Sequence, residues 1–454
     1  PALLALGLAA CNGNGEDGSG EDTATSLASL SVGDTTASSV ADTTAGSASG
    51  SGAQTGTSAS DATTSDPTGA DTMQISFDVG VVPDAGKGPC GGGMGGDIDF
   101  SYIWVANSSQ NAVSKINTQT LIEEGRYLVH PGNGNPSRTS VSLSGDVAIA
   151  NRNGGITKVY ANVEDCQDVN GTPGIQTSSG GADLLAWGQD DCVAWHTPMA
   201  YSTQRPVAWS SGTFNPAACA WEGQSVWTVS AQSGASGSVV VSVLDGETGV
   251  IADTVPIPEI AIGYFGPYGA AFDTNGDFWF VDSGNDGPSQ ELVRVDGGSL
   301  AYDIWMTPPI NPYGFTVDTL GRPWIAGYAG GIARFDPVTE TFDQNNSVTG
   351  LGIQEDANGI MWMAHYPWDI ERVIAIDRDT MAIVDEINLP AGTSLAKGVS
   401  IDFYGYVWVV DQGTSAFRID PVAGTIDTFT GLVGPYTYSD MTGWGLSSVS
   451  NPEG

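Results

Sequence analysis

Chemistry needs groups that hold a proton, a metal or an electron pair at a fixed distance, and this chain of 454 residues carries few of the usual ones. It has three histidines and five cysteines. His365, within HYPWD, can ligate a metal or serve as a hydrogen-bonded surface residue. Asp165, Asp168 and Asn170, followed by Gly171, resemble the start of a calcium loop, which wants oxygen ligands at alternate positions, but Thr172 and Pro173 interrupt the series. Calcium is therefore one expected cofactor, and a disulfide-pinned loop without metal is the other reading. With Cys11 set aside, Cys90, Cys166, Cys192 and Cys219 allow two disulfides in three connectivities. Pairing Cys166 with Cys192 is favoured because both lie in one loop-like insertion, which leaves Cys90 for Cys219. A zinc site is disfavoured by the lack of a Cys-x-x-Cys pair and the scarcity of histidine. The Ser-Gly turns SSQN and SGND lead into no helix start, so they are not phosphate-binding loops.

Charge narrows the partners. Lys and Arg number 14 against 52 Asp and Glu, a formal charge of −38 that repels phosphate backbones and excludes nucleic acid as a natural partner. Such acidity also keeps an exported protein soluble and monomeric. Residues 1–11, PALLALGLAAC, read as the end of an apolar signal segment. Leu8-Ala9-Ala10-Cys11 resembles the bacterial lipobox, which implies a lipid anchor on Cys11, attachment to a membrane in the cell envelope, and an oxidising compartment for the other cysteines. Residues 12–96 are Ser, Thr, Gly, Ala and Asp with almost no aliphatic pattern, too poor in apolar surface to offset chain entropy. They are expected to form a disordered tether with a reach of tens of ångströms, from about 5–6 Å times the square root of its length.

From residue 97 to 449 the composition shifts to short runs of Trp, Tyr, Val and Ile that repeat. Aligned on Trp104, Ala148 (in the Trp place), Trp227, Trp279, Trp324, Trp362 and Trp408, they make seven units at intervals near the length of a four-stranded blade. The exception is the interval from Ala148 to Trp227, where an insertion at about 160–205 is expected. Alternation of period two with turn residues every eight to twelve positions predicts antiparallel sheet. The fold class is thus all-β, a seven-bladed propeller. The Trp104 unit lacks the strand that precedes the Trp strand elsewhere, and Asp440–Val449 (DMTGWGLSSV) is expected to supply it and close the ring, leaving 450–454 as a tail. The repeated Trp residues are expected to pack between blades, each burying on the order of 200 Å².

Within a unit the pattern runs Pro-x-Gly, an apolar residue, then Asp-x-x-Gly-x-x-Trp and an acidic residue, best seen in PYGAAFDTNGDFWFVD, Pro267 to Asp282. This pattern, with PVTETF and PVAGTI at hairpin ends, resembles the virginiamycin B lyase family and the broader NHL-like propellers. The resemblance implies a His just after the blade-opening Pro, a Glu fourteen positions later and Mg²⁺ nearby. Here the matching positions hold Ser137 with Asn151, Ala217 with Ser230, Tyr268 with Asp282, Tyr313 with Gly327, Leu351 with His365, and Lys397 with Asp411. None is His with Glu, which removes the obvious base for proton abstraction. Tyr268 with Asp282 remains as an acid and a carboxylate or metal ligand, and Lys397 with Asp411 as a charge pair. Polar residues also gather around a propeller's axis without catalysing anything. Two functions follow as expectations: a module that binds a ligand, glycan or protein, and a metal-assisted carbon–oxygen lyase with its site in the channel.

Overall fold

The computed structural model describes residues 101–450, apart from 218–219, 263–264, 284–289 and 367–369. Cys11, Cys90, Cys219, the tether and the tail at 451–454 lie outside the described residues. Seven antiparallel sheets follow one another along the chain: blade 1 at 102–128, blade 2 at 136–197, blade 3 at 203–257, blade 4 at 266–306, blade 5 at 312–345, blade 6 at 350–388 and blade 7 at 396–430. Blades 2–7 have four strands and blade 1 has three. The inner strands are wholly buried in blades 5–7, whereas the outer strand of blade 6, Ile383–Asn388, is almost wholly exposed.

The Asp-x-x-Gly-x-x-Trp motif is the joint that builds each sheet. In blade 5, Asp318 Oδ1 accepts the amides of Leu320 and Arg322, closing the turn, while Oδ2 accepts the indole N–H of Trp324 at 2.9 Å. The same arrangement recurs at Asp273 with Trp279, Asp356 with Trp362 and Asp402 with Trp408. Gly321 in that turn has φ +77°, a left-handed conformation that glycine adopts without a Cβ clash.

Each indole lies against the following blade. Trp279 packs on Phe315, Ile325 and Phe335 of blade 5, and Trp408 on Ile103, Val105 and Ile116 of blade 1, so the ring closes. Ala148 leaves the indole place empty in blade 2, and Trp209 of blade 3 fills the space from the other side. At about 25 cal/mol per Å², burying an indole contributes about 5 kcal/mol.

Closure uses the C-terminal segment, through different residues from those expected. Asn107 forms an antiparallel bridge with Pro435, the Tyr436 amide donates to the Ala106 carbonyl at 3.1 Å, and the Trp104 amide to the Met441 carbonyl at 2.9 Å. The fourth element of blade 1 is therefore the irregular extended run 435–441. Residues Trp444–Ser450, of which 444–449 were expected as strand and Ser450 as tail, form a short helix. Its first-turn amides are taken by half-buried Asp440, which accepts from Gly445 and Leu446 as well as from Gly443.

The long interval holds two inserted pieces, not one. Residues 160–192 separate the third and fourth strands of blade 2, and a small hairpin, Thr213–Asn215 with Ala220–Glu222, interrupts blade 3. The first piece is pinned by the Cys166–Cys192 disulfide.

Candidate functional site at the propeller axis

Where each inner strand opens, its register with the Trp strand shifts. Asp282 pairs with Pro267 and Val281 with Gly269, so Tyr268 is the extra residue of a β-bulge, which re-aims its side chain. Tyr313 and Lys397 occupy the same place in blades 5 and 7. The glycine after each is required by close approach: a Cβ on Gly314 would collide with the Leu351 carbonyl, and one on Gly398 with that of Thr437.

Two members of this ring escape the sequence alignment. Ser230 pairs with Gln204, which makes Arg205 its bulge neighbour; Ala217, expected there, belongs to the inserted hairpin region. In blade 1 the closing segment places Pro435 opposite Asn107, so Tyr436 takes the seventh position. The seven are Ser137, Arg205, Tyr268, Tyr313, Leu351, Lys397 and Tyr436. A signal for Tyr436 stood in the sequence: Gly434-Pro435-Tyr436 repeats Gly266-Pro267-Tyr268.

These side chains meet across the blades. Tyr436 is the hub, its hydroxyl accepting from Tyr313 at 2.7 Å and lying 3.0 Å from that of Tyr268, while Lys397 Nζ donates to the Tyr313 hydroxyl at 2.9 Å. Tyr438 stacks on Tyr313 and Tyr268 at ring separations of 4.6 and 5.6 Å. Arg138, fully buried, lies over the Tyr438 ring at 3.4 Å and donates to the Tyr438 carbonyl. Arg152 and Lys397 each sit 4.1 Å from the centre of the Tyr436 ring, and Arg205 sits 5.2 Å from those of Tyr268 and Phe265. Burial drives the Tyr313 and Tyr438 phenols far above their ordinary range, so both stay neutral at any physiological pH. Further along the axis a cavity of about 30 Å³, lined in part by Gln354, Ser439 and Asp440, is closed on the side of the terminal helix.

The candidate pairs do not operate as pairs. Tyr268 turns its hydroxyl to Tyr436, while the Asp282 carboxyl is buried beside the Ser283 backbone amide and makes no side-chain hydrogen bond among the described residues. Burial first, and then the charge of nearby Glu291, push Asp282 well above the usual carboxylate range. A divalent cation placed there would meet two carboxyl groups, and among the described residues no third His, Cys, Asp or Glu joins them. Asp411 accepts from the backbone amides of Gly413, Ser415 and Ser394, while Lys397 points to the phenols, so no charge pair forms. The bulge explains this: it swings Lys397 to the axis and leaves Asp411 in its own turn. His365 lies 3.1 Å from Arg372 through Nε2, outside the phenol cluster.

The three oxygen-bearing residues of the insertion face different partners. Asp165 accepts from the Asn162 side chain, Asp168 from the Gly174 amide, and Asn170 from the Thr172 amide. The loop is organised by Asp191, which accepts from the amides of Val169, Asn170 and Gln176.

The architecture defines the chain as a seven-bladed β-propeller, sealed by its C-terminal segment and filled at the axis by phenols and cations. No family model matches the chain, and no curated protein matches it. Among solved structures, a functionally unknown protein from Desulfotomaculum acetoxidans is similar in fold with a TM-score of 0.52 at 11% identity, over 74% of this chain and 96% of that one. A streptogramin B lyase structure aligns with a TM-score of 0.47 at 16% identity, over 68% and 87% of the two chains. The Staphylococcus aureus virginiamycin B lyase aligns with a TM-score of 0.47 at 15% identity, over 69% and 91%.

Proposed function

We propose that the chain is an exported, lipid-anchored propeller of the cell envelope whose axial end binds a ligand and which performs no lyase reaction. One observation carries this reading: five of the seven ring positions, Arg205, Tyr268, Tyr313, Lys397 and Tyr436, are tied to one another by phenol hydrogen bonds and cation–π contacts, and none of the seven is a histidine or a carboxylate. Proton abstraction needs both within hydrogen-bond reach of one reacting atom. The Cys166–Cys192 disulfide supports export, because such bonds persist in oxidising compartments. The apolar run ending at Cys11 supports the anchor.

The test pairs a thermal-shift screen of the purified chain against glycans, small acids and divalent cations with an assay for opening of a streptogramin B depsipeptide. A ligand that selects the native state raises the melting temperature. The expected result is a saturable shift with at least one ligand and no ring opening. Ring opening that Tyr268→Phe or Asp282→Asn abolishes would establish the lyase reading instead.

A further inference from the structure

The distribution of the fourteen cations says what the axial end should bind. Eight of them, Arg126, Lys158, Arg294, Arg322, Arg334, Arg372, Arg378 and Arg418, are matched to carboxylates. Four others, Arg138, Arg152, Arg205 and Lys397, are drawn together at the axis of a chain whose formal charge is −38. There they touch phenol rings, hydroxyls and backbone carbonyls. Among the described residues neither Arg138 nor Arg152 forms an ion pair, and the Nε of each is buried without a hydrogen-bond partner. The charges that bear most on Tyr438 include those of Arg138, Arg205 and Arg152. Concentrated positive charge in a site of low dielectric attracts an anion far more strongly than the same charge in water.

The surroundings define the rest of the ligand. Phe265, Tyr328 and Tyr366 are half-buried and extend the phenol cluster outward: Phe265 meets Tyr268 at a ring separation of 6.0 Å, Tyr328 meets Tyr313 at 6.3 Å, and Tyr366 meets Tyr328 at 6.1 Å. Arg152 is half-buried too, so its guanidinium is the cation nearest to solvent. A guanidinium presents a planar fork to a carboxylate, and aromatic edges and faces accept a flat apolar body. Of the carboxyl groups at this end, burial raises Asp282 and Glu371 above their ordinary values, and Asp411 is engaged by the backbone amides of Gly413, Ser415 and Ser394.

We propose that the aromatic and cationic cluster around Tyr436 is a binding site for a small planar organic carboxylate, seated with its anionic end toward Arg152, Arg205 and Lys397 and its ring among Phe265, Tyr328 and Tyr366. This names the ligand class for the binding reading above and rests on it.

The experiment is titration calorimetry on the full chain with benzoate, phthalate and indole-3-acetate, with benzamide as the neutral isostere and sulfate as the inorganic anion. The expected result is saturable binding of at least one carboxylate, at least tenfold weaker binding of benzamide and of sulfate, and a tenfold or greater loss in Arg152→Gln. Arg152→Lys, which keeps the charge, should recover part of that loss, and circular dichroism and melting temperature confirm that each variant is folded. No carboxylate binding up to 10 mM, equal binding of benzamide, or binding indifferent to Arg152→Gln each overturns the site. A glycan or cation that shifts the melting temperature while all three carboxylates fail would leave the binding module standing and remove only this ligand class.

Discussion

The perimeter and the axis of this propeller solve the same problem, the burial of polar groups, in opposite ways. At the joints between blades the solution is repeated: an Asp closes its own turn and holds an indole, and the four such carboxylates of blades 4–7 each accept two turn amides and an indole N–H. At the axis no two blades in succession use the same chemistry except blades 4 and 5, and the residues are Ser, Arg, Tyr, Leu, Lys and Tyr again. Repetition builds the frame, and departure from it makes a site. A residue that serves the frame should therefore cost stability when changed, while a residue at the axis should cost binding.

The largest break in that comparison is removal of the closing segment. A chain ending at Thr430 loses Tyr436, Tyr438 and the bonds that Ala106 and Trp104 make to the segment, and exposes an open sheet edge. It is expected to lose cooperative unfolding and to aggregate, as read by calorimetry and size-exclusion chromatography; a melting temperature within 2 °C of the intact chain would contradict the closure described. Next, Trp279→Ala should cost about 3–5 kcal/mol in urea unfolding, the usual range for a buried aromatic, whereas Tyr436→Phe, which removes one hydroxyl from the hub, should cost about 1 kcal/mol. Similar losses for the two would erase the division between frame and axis.

Asp282→Asn should move stability the other way. The folded chain holds the Asp282 proton more tightly than the unfolded chain does, so stability falls as pH rises from about 4 toward the raised folded value. Removing the carboxyl should flatten that slope and raise stability at pH 7 by about 1 kcal/mol; a loss on substitution, or a stabilising shift with magnesium that Asn abolishes, would mean that the carboxylate is held charged by a cation.

The smallest effect concerns His196, which burial and neighbouring His130 lower to about 4. The unfolded chain binds more protons between that value and 6.5, so stability rises with pH across this window and is lost as pH falls through it. His196→Gln should shallow the melting profile between pH 4 and 6.5 and leave it unchanged above pH 7.

What could be read in the sequence was what is local and repeated. Trp279, Trp324, Trp362 and Trp408 declare their blades because a turn, a glycine and an indole at fixed offsets leave one solution. Arg205 and Tyr436 were hidden for a different reason: one sits before an inserted hairpin whose Pro216 imitates a blade opening, and the other lies in an irregular segment outside any full repeat. The terminal helix was missed because seven residues carry too little periodicity, and what fixes its start is Asp440, whose acceptor role shows only in three dimensions. Arg138 was missed because it stands where the inner strands of blades 4–7 carry Gly, in the residue after the bulged Ser137.

The strand Tyr102–Asn107 is gripped on both sides, by Ala112–Asn117 and by the run 435–441. The insertion fastens the other two strands of blade 1 from outside, with Lys115 on the Ala161 carbonyl and the Gly181 amide on Glu123, while Arg126 reaches the Gly431 carbonyl of the last turn. A pull delivered through residue 101 runs along this strand, so its ladder is loaded in shear and must fail as a set instead of peeling bond by bond. In the anchored protein proposed above, the end of the chain that bears tension is thus also the seam where the ring was sewn shut.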